Sequence, residues 1–536
     1  MGRRGFQPPP TSGQMRSRLH HILAETAAWR PDGPALTFKG TTLTYRALWE
    51  RSAAVGAGLQ GVGLGQDHRV AIYLDKRVET VVSIFATSVA GGVFVPVNPL
   101  LRAPQVRHIV DDCAARVLIT SADRFDQLED QLAECKSIER VVLVGDARGV
   151  RPEARYEVVE WAAIASSGAD PADAGTVDLD MAAILYTSGS TGKPKGVVLS
   201  HRNLLAGAES VSGYLGNHEH DVILAALPLS FDAGFSQLTT AFSSGAHVVL
   251  MNYLLPGDVV RLCAKHRVTG LTCVPPLWIQ LAEQRWTPEA SGSLRYFANT
   301  GGRMPKATLD RLRAIFPQAA PFLMYGLTEA FRSTYLDPAE VDRRPDSIGK
   351  AIPNAEILVV RDDGSPCGPD EEGELVHRGP LVAMGYWNDP GRTAERFRPA
   401  PNREDGLSTA ELAVFSGDIV TRDEEGFLYF VGRKDDMIKT SGYRVAPTEI
   451  EEVAYDTGLV RDAVAVGVDD DRIGQAIVLV VSPGADTGFD AATLLDELRG
   501  QLPLYMVPRE VVVRGELPRS PNGKFDRKVL RQELTA

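Results

Sequence analysis

Before residue 350, short apolar, often β-branched runs alternate with segments of helical spacing. These runs are RVAIYL (69–74), VFVPV (93–97), ARVLIT (115–120), RVVLVG (140–145), HVVLM (247–251) and GLTCVP (270–275). Runs of this length between helical segments predict parallel strands joined by crossover helices. The pattern therefore predicts an α/β architecture, in which a large N-terminal domain has layers of helices and parallel or mixed sheets.

The pattern changes near residue 350. The stretch AEILVVRDDGSPCGPDEEGELVHRG (355–379) contains short strands separated by Asp-Gly and Gly-Pro turn signals. It predicts a β-rich subdomain over about 350–434. The segment 435–536 has its own strand and helix patterns and is long enough for a small α+β domain. We therefore predict a large domain over 1–434 and a small C-terminal domain over 435–536.

Composition and charge exclude several classes of protein. The apolar content of 44% is that of an ordinary globular protein, and the net charge of -12 argues against a nucleic-acid partner. Five cysteines are scattered without any CxxC pair, which predicts neither a disulfide framework nor a zinc site. The sequence also has no secretory h-region and no apolar run of ~18 residues, so it predicts no membrane insertion and a cytoplasmic location.

One loop carries an unusual density of glycines, hydroxyl groups and lysines. It reads YTSGSTGKPKGVVLSH from Tyr186 to His201. Free backbone amides, hydroxyl donors and lysine charge together form a cradle for phosphate oxygens. The loop does not match the Walker A pattern, because Pro194 stands where that pattern needs glycine. Its composition alone would also fit a solvated, turn-rich loop.

Five further motifs follow this loop in order. They are YGLTE (325–329), GELVHRG (373–379), SGDI (416–419), GRKDDMIKTSGYRVAPTEIE (432–451) and LPRSPNGKFDR (517–527). Together with the loop, they resemble the signatures of the adenylate-forming, AMP-binding superfamily. That superfamily includes acyl-CoA synthetases, peptide-synthetase adenylation domains and firefly-type luciferases. The resemblance runs from about residue 15 to the end of the chain and is nearest to a bacterial AMP-forming acyl-CoA ligase or a free-standing adenylation enzyme.

The resemblance implies a two-step ligase that uses ATP and Mg²⁺. A carboxylic acid would first become an acyl-adenylate with release of pyrophosphate, and the acyl group would then pass to a thiol. The thiol would belong to CoA or to a pantetheinylated carrier protein acting in trans, since no carrier domain follows Asp526. An alternative is capture by a nitrogen nucleophile. A non-catalytic adenylate-binding protein is least favoured, because Lys524, Glu329 and Asp418 are all present.

The motifs assign roles around the nucleotide. Tyr325 would stack on adenine, Thr328 would donate to the α-phosphate, and Glu329 would bind Mg²⁺ as a hard oxygen ligand. A carboxylate such as Asp418 can accept from two ribose hydroxyls, and Arg433 matches a residue that contacts ribose and phosphates. The expected nucleotide-binding residues are Thr187, Ser188, Gly189, Ser190, Thr191, Gly192, Lys193, Lys195, Tyr325, Gly326, Asp418 and Arg433.

The small domain carries the expected catalytic lysine. Lys524 follows a tight turn and matches the family lysine that bridges the attacking carboxylate and the α-phosphate, so we expect Lys524, Thr328 and Glu329 to be catalytic. Asp435 matches the hinge about which the small domain rotates for the second step. The expected thiol tunnel is lined by Lys439, Ser441, Gly442 and Tyr443. Glu449, Glu451 and Glu452 are expected to favour a helix start and receive no catalytic role.

The acid pocket is expected to contain Phe231, Asp232, Gly301, Gly302, Arg332 and Ser333. The string FDAG within LPLSFDAGFSQL (227–238) resembles amino-acid-activating domains, in which the aspartate holds the α-ammonium group of the substrate. The alternative is that Asp232 and Arg332 pair with each other as scaffold, since charges in pockets are usually paired. The first interpretation predicts a small polar acid with an amino or similar donor group, in preference to a long-chain fatty acid.

Overall fold

A computed structural model provides the structure of the protein. It describes residues 16–145, 155–187, 194–401, 406, 409–434, 436–440, 443–470, 473–484, 488–502, 504–520 and 523–535. The side chains of three residues within these ranges are not described, namely Lys439, Tyr443 and Arg444.

The strands, in chain order, are β1 Pro34–Phe38, β2 Thr41–Thr44, β3 Arg69–Tyr73, β4 Val93–Pro96, β5 Val117–Ser121, β6 Arg140–Val144, β7 Glu157–Glu160, β8 Met181–Thr187, β9 Lys195–Ser200, β10 Val222–Ala225, β11 His247–Leu250, β12 Gly270–Cys273, β13 Tyr296–Asn299, β14 Ala320–Tyr325, β15 Thr334–Leu336, β16 Ser347–Ala351, β17 Glu356–Val360, β18 Gly373–Arg378, β19 Gly385–Tyr386, β20 Phe397–Pro399, β21 Leu412–Arg422, β22 Leu428–Arg433, β23 Ile438–Thr440, β24 Tyr443–Val445, β25 Val460–Asp470, β26 Gly474–Pro483 and β27 Glu510–Val513.

The α-helices are α1 His21–Trp29, α2 Tyr45–Gly61, α3 Val78–Val89, α4 Ala103–Asp112, α5 Ala122–Leu132, α6 Trp161–Ala165, α7 His201–Leu215, α8 Asp232–Ser243, α9 Pro256–His266, α10 Pro275–Ala282, α11 Pro288–Ser291, α12 Lys306–Ile315, α13 Pro390–Arg396, α14 Pro447–Asp456, α15 Ala491–Gln501 and α16 Arg527–Thr535. Short 3₁₀ helices occupy Thr328–Ala330, Pro338–Glu340 and Leu504–Met506.

The first sheet contains a parallel core with the strand order β11-β10-β12-β13-β14. Its strands read as continuous apolar runs because helices cover both faces of such a sheet. β10, β11 and β12 pack tightly, with side chains such as Leu224, Val248 and Leu271 fully buried. The predicted strands at 247–251 and 270–275 are confirmed.

The second sheet has the order β19-β9-β8-β4-β3-β5-β6-β7. β4, β3, β5 and β6 are parallel, which confirms the four predicted strands between residues 69 and 145. β8 and β9 are antiparallel and place Thr187 opposite Lys195. The ends of this hairpin therefore flank the phosphate-loop motif.

The β-rich region after residue 350 is present, but it is not a separate sheet. Antiparallel strands β17, β18, β21 and β22 join the first sheet through β16, which pairs with both β15 and β22. The expected subdomain is thus an antiparallel extension of the large sheet. Across this extended sheet, Tyr325 at the end of β14, where the YGLTE motif begins, contacts Asp418 on β21.

A third sheet of five strands, β23 to β27, forms the C-terminal unit together with α14, α15 and α16. Ile438, Ile450 and Leu479 belong to its own apolar core. The unit therefore has the α+β character that the sequence predicts. The boundary between residues 434 and 435 stays a prediction.

Two observations on the described part of the chain concern the expectations from composition. All five cysteines are buried and free, which confirms that they form no disulfide framework. Of the helices that the structure describes, none is long and apolar enough to cross a membrane.

Candidate functional site

Thr187 and Lys195 lie opposite each other at the ends of the β8–β9 hairpin. Thr187 is the last residue of β8, and its buried hydroxyl has no hydrogen-bond partner among the described residues. Ser188, Gly189, Ser190, Thr191, Gly192 and Lys193 lie outside the described residues, so their expected contacts with phosphate stay a prediction. The orphaned hydroxyl of Thr187 fits a site that accepts a polar ligand.

Glu329 and Lys195 form an ion pair beside this loop. Lys195 Nζ lies 3.0 Å from Glu329 Oε1, and Tyr386 Oη donates to the same oxygen at 2.6 Å. Burial by itself raises the pKa of Glu329, but the charge of Lys195 and the hydrogen bond from Tyr386 outweigh burial and lower it. Glu329 is thereby kept ionised, as a metal ligand must be.

Sequence reasoning missed Tyr386, which lies outside the motifs used to assign roles. Its position in the segment AMGYWND gave no indication that it binds Glu329, which lies 57 residues earlier in the chain. The ammonium of Lys195 also lies 4.3 Å from the centre of the Tyr386 ring. Tyr386 therefore holds both members of the ion pair in place.

The YGLTE motif forms a sharp turn after β14. A β-carbon added at Gly326 would lie 3.0 Å from Arg332 Cα, so this position has little room for any side chain. The buried Phe331 has a φ of 58°, which is rare for a bulky residue and marks local strain. This turn brings Thr328, Glu329 and Arg332 to the same cleft.

Asp418 connects the YGLTE motif with the end of β22. Tyr325 Oη donates to Asp418 Oδ2 at 2.5 Å, and Arg433 Nε lies 2.9 Å from Asp418 Oδ1. The negative charge of Asp418 raises the pKa of Arg433. Although close to Arg433, Oδ1 accepts no well-directed hydrogen bond from any described residue. This oxygen fits the expected role of accepting from a ribose hydroxyl.

The acid-pocket residues Asp232 and Arg332 pair with each other. Arg332 Nη1 donates to Asp232 Oδ2 at 2.7 Å, and the side chain of Arg332 is only 2% exposed. Thr328 Oγ1 lies 3.3 Å from the other carboxylate oxygen, Oδ1. The pairing that the sequence analysis gave as the alternative is therefore present, and the role of this pair towards a substrate stays a prediction.

The other pocket residues divide into two groups. Phe231 is buried in a small apolar cluster with Leu227, Ala233 and Val274. The hydroxyl of Ser333 is already bonded within the protein, because it lies 2.9 Å from Nδ1 of the fully buried His377. Burial lowers the pKa of His377 to about 3, so its ring is neutral. His377 lies in the motif GELVHRG, from which the sequence analysis predicted no role for it.

Gly301 and Gly302 lie against the helix start that follows β12. A β-carbon at Gly301, where φ is 78°, would lie 3.2 Å from Val274 Cγ1. A β-carbon at Gly302 would lie 3.2 Å from Pro275 Cγ. Both glycines therefore allow the close approach of two loops at the wall of the cleft.

Lys524 reaches across from the C-terminal unit to this wall. A β-carbon at Gly301 would lie 3.8 Å from Lys524 Cε. Burial by the surrounding protein lowers the pKa of Lys524, and the charge of Arg433 lowers it further. The carboxylates of Asp232, Asp418 and Glu329 oppose this shift. The residue is still accessible to solvent, so it stands in an open cleft surrounded by the expected site residues.

An ion pair also joins the two domains beside the cleft. Arg303, which follows Gly302, contacts Glu452 on α14 and lies 3.0 Å from Asp346. Glu451 instead binds Arg527 within the C-terminal unit. The sequence interpretation of these glutamates as helix-start residues is therefore incomplete for Glu452, which makes a contact between domains.

The predicted hinge and tunnel lie mostly outside the described residues. Asp435, Ser441 and Gly442 are not described, and nothing is stated of the side chains of Lys439 and Tyr443. Their roles stay predictions. Within the described ranges, no group of three or more His, Cys, Asp or Glu residues is arranged for a metal. A single carboxylate such as Glu329 nevertheless suits Mg²⁺, which is held mainly by substrate phosphates and water.

Comparison with known proteins assigns the chain to a family. Residues 23–387 match the AMP-binding enzyme family model, and residues 449–524 match the model of its C-terminal domain.

The chain belongs to the AMP-binding enzyme family.

Its relatives cover almost the whole chain. It is 33% identical to a long-chain-fatty-acid–CoA ligase of Salmonella typhimurium, with 95% of this chain and 94% of the relative aligned. The structure of ATP-bound MatB from Rhodopseudomonas palustris superposes with a TM-score of 0.84 at 28% identity, covering 96% of this chain and 98% of MatB. The o-succinylbenzoate CoA synthetase of Bacillus subtilis, solved with ATP and magnesium, gives 0.80 at 26% identity, covering 96% and 99%. This AMP-binding enzyme is thus an adenylate-forming ligase.

Proposed function

We propose that this AMP-binding enzyme activates a carboxylic acid with ATP and transfers the acyl group to CoA. The observation that carries the proposal is the position of Lys524 in the cleft, beside Gly301 and within electrostatic reach of Glu329 and Asp418. The names of relatives support ATP and magnesium for the first step and CoA for the second.

In the first step, a carboxylate oxygen of the acid attacks the α-phosphorus of ATP. A new C–O–P linkage forms while the bond from the α-phosphorus to the bridging oxygen breaks, and the electron pair leaves with pyrophosphate. Lys524 stabilises the negative charge shared by the attacking carboxylate and the α-phosphate. Thr328 donates a hydrogen bond to the same phosphate, and Asp418 holds the ribose. Mg²⁺ bound at Glu329 would neutralise phosphate charge.

In the second step, the thiolate of CoA attacks the carbonyl carbon of the acyl-adenylate. A C–S bond forms, the C–O bond to the phosphate breaks, and AMP leaves with the electron pair. Rotation of the C-terminal domain about Asp435 would replace Lys524 by the thiol tunnel. The charge of Lys524 is expected to accelerate only the first step, by ~10²-fold. Measuring the two steps separately therefore tests its role.

The pocket favours an acid without an α-ammonium group. Asp232 is already neutralised by Arg332, and a second cation beside this pair would leave one positive charge buried without a partner. The sequence prediction of an amino-bearing acid requires an Asp232 that is free to bind the substrate. We therefore propose a carboxylic acid whose remaining part is uncharged.

A pyrophosphate-exchange screen tests this proposal. Acids are supplied as matched pairs with and without an α-amino group, and exchange between labelled pyrophosphate and ATP is measured. Positive acids are then tested with CoA, a pantetheinylated carrier protein or an amine as acceptor. We expect exchange with non-amino acids and thioester formation with CoA. Exchange only with amino acids would contradict the proposed substrate class, and amide formation without thioester would contradict the proposed acceptor.

The ion pair between Arg303 and Glu452 yields a separate prediction about domain closure. Replacing Glu452 with glutamine removes one charge of a pair whose side chains are 30% and 38% exposed. A pair this exposed is worth about 0–1 kcal/mol, so we expect acid-dependent exchange to fall by no more than about fivefold. Transfer from supplied acyl-adenylate to CoA should be unchanged.

Glu449→Gln on the same helix α14 is the matched control and should leave both rates unchanged. An equal fall in both half-reactions in Glu452→Gln would show that the pair does not act through the closed state.

A further inference from the structure

Lys76 is a buried cation that the reaction described above does not use. It follows β3 in the second sheet, and only 7% of the residue is exposed. Its ammonium donates to three consecutive main-chain carbonyls, those of Ala225 at 2.7 Å, Ala226 at 2.9 Å and Leu227 at 3.1 Å. An ammonium has three donors, so these bonds account for all of them.

The three carbonyls belong to the end of β10, where the chain leaves the first sheet and turns towards the acid pocket. The amide of Ala226 donates to Leu224 O at 2.9 Å, which marks a tight turn at this point. Gln237 on α8 holds the same turn from the other side, since Leu227 N donates to Gln237 Oε1 at 3.2 Å. Lys76 therefore bridges the two sheets beneath this turn.

The turn leads directly into the pocket. Leu227 packs in one cluster with Phe231 and Val274, and Asp232 begins α8 immediately after Phe231. Val274 in turn lies against Gly301, the glycine that faces Lys524. A shift of the carbonyls held by Lys76 would move the wall of the pocket against which the acid lies.

Among the residues that the structure describes, no carboxylate acts on the pKa of Lys76. The neighbouring Asp75 binds Arg124, 2.7 Å away, and the titratable group that acts on Lys76 is the buried thiol of Cys273 on β12. Burial lowers the pKa of Lys76 to about 7, and raises the pKa of Cys273. Burying an ammonium without a carboxylate partner is costly, so its stability depends on the three carbonyls of Ala225, Ala226 and Leu227 that accept from it.

We propose that Lys76 is a positioning residue for the acid substrate, because it fixes the end of β10 and with it the segment that carries Phe231 and Asp232. This inference rests on the proposed function, since it assigns Lys76 to the acid pocket of that reaction. Lys76 touches neither the substrate nor the nucleotide. Its effect is therefore expected on binding of the acid and not on binding of ATP.

The test compares Lys76→Met with Asn252→Ala in acid-dependent pyrophosphate exchange. Asn252 binds the backbone of Lys76 through two hydrogen bonds of 2.9 Å, so its removal disturbs the same neighbourhood but keeps the ammonium. In Lys76→Met, we expect KM for the acid to rise about tenfold or more, since misplacement by ~1 Å costs up to ~10²-fold. KM for ATP should stay within about twofold in both variants, and Asn252→Ala should keep a near-normal KM for the acid.

A pH series gives a second readout. As pH rises through about 7, the wild-type Lys76 ammonium loses a proton and one of its three donors. The KM for the acid should then rise with pH in the wild type, and the ratio between Lys76→Met and wild type should shrink. Lys76→Gln, which retains two donors, should show an intermediate KM and serves if the methionine variant does not fold.

Equal KM values for the acid in wild type, Lys76→Met and Lys76→Gln would overturn the proposal. So would an equal rise in KM for acid and ATP, or the same effect in Asn252→Ala, because each would indicate a purely structural role. If the wild-type enzyme shows no acid-dependent exchange, that result contradicts the proposed function, and the role proposed for Lys76 falls with it.

Discussion

Replacing Lys524 with alanine is expected to lower acid-dependent ATP–pyrophosphate exchange by at least ~10²-fold, the scale of losing a preorganised charge at the transition state. The reason is positional. Lys524 stands at the wall formed by Gly301, and the carboxylates of Asp418 and Glu329 lie close enough to act on its pKa. The alanine variant leaves the α-phosphate without this ammonium.

The second half-reaction provides the internal control. Transfer from a supplied acyl-adenylate to CoA should stay within about twofold of wild type, because the proposed rotation of the C-terminal domain would carry Lys524 out of the cleft. Lys528→Ala, at an exposed position four residues further along, should leave both rates unchanged. An equal loss of exchange and transfer in the Lys524 variant would refute a division of labour between two faces of the small domain.

The second large effect is expected at the buried pair of Asp232 and Arg332. Asp232→Ala leaves the guanidinium of Arg332, which is 2% exposed, without its partner. Breaking a buried pair in this way costs about 3–5 kcal/mol of unfolding free energy. We expect Arg332→Met, which leaves the carboxylate unpaired, to be destabilised on the same scale, measured as unfolding of the large domain in urea.

The double variant separates scaffold from substrate binding. Asp232→Ala with Arg332→Met removes both charges, so we expect it to recover most of the lost stability, within about 1–2 kcal/mol of wild type. Some loss of adenylation should remain, because Thr328 lies 3.3 Å from Asp232 Oδ1. Additive destabilisation in the double variant would refute the pairing. A wild-type preference for amino acids that the double variant loses would show that Asp232 holds a substrate ammonium.

Many of the candidate site residues could be predicted because they occur in short strings with fixed local geometry. Thr187 and Lys195 flank one loop, and Gly326, Thr328 and Glu329 share one turn. The structure brings both groups to the same cleft, together with Asp418, Arg433 and Lys524. Their roles towards ATP, Mg²⁺ and the acid stay predictions, as do the hinge at Asp435 and the thiol tunnel.

The contacts that the sequence did not reveal join residues far apart in the chain. Tyr386 binds Glu329, His377 lies beside Ser333, and Lys76 reaches Leu227 across 151 positions. Hydrophobic periodicity reports which face of a strand or helix is buried, but it carries no information about which distant side chain lies opposite. Tyr386 and Lys76 gave no local signal that would have singled them out, and the motif that contains His377 gave no sign of its contact with Ser333.

Strand-length apolar runs between helical segments were enough to predict the α/β architecture, because they follow from local backbone geometry, and the resemblance of the ordered motifs indicated the family. The sequence allowed two partners for Asp232, which were an ammonium group of the substrate and the guanidinium of Arg332. The folded chain provides a protein partner for Asp232, because the turn at Phe331 sets Arg332 Nη1 2.7 Å from Asp232 Oδ2, and the substrate class stays a proposal. Only the tertiary structure decided that Glu452 meets Arg303 and that Lys76 lies beneath the pocket. A charge acts on whatever lies within a few ångströms, and that neighbour is set by the packing of the whole chain.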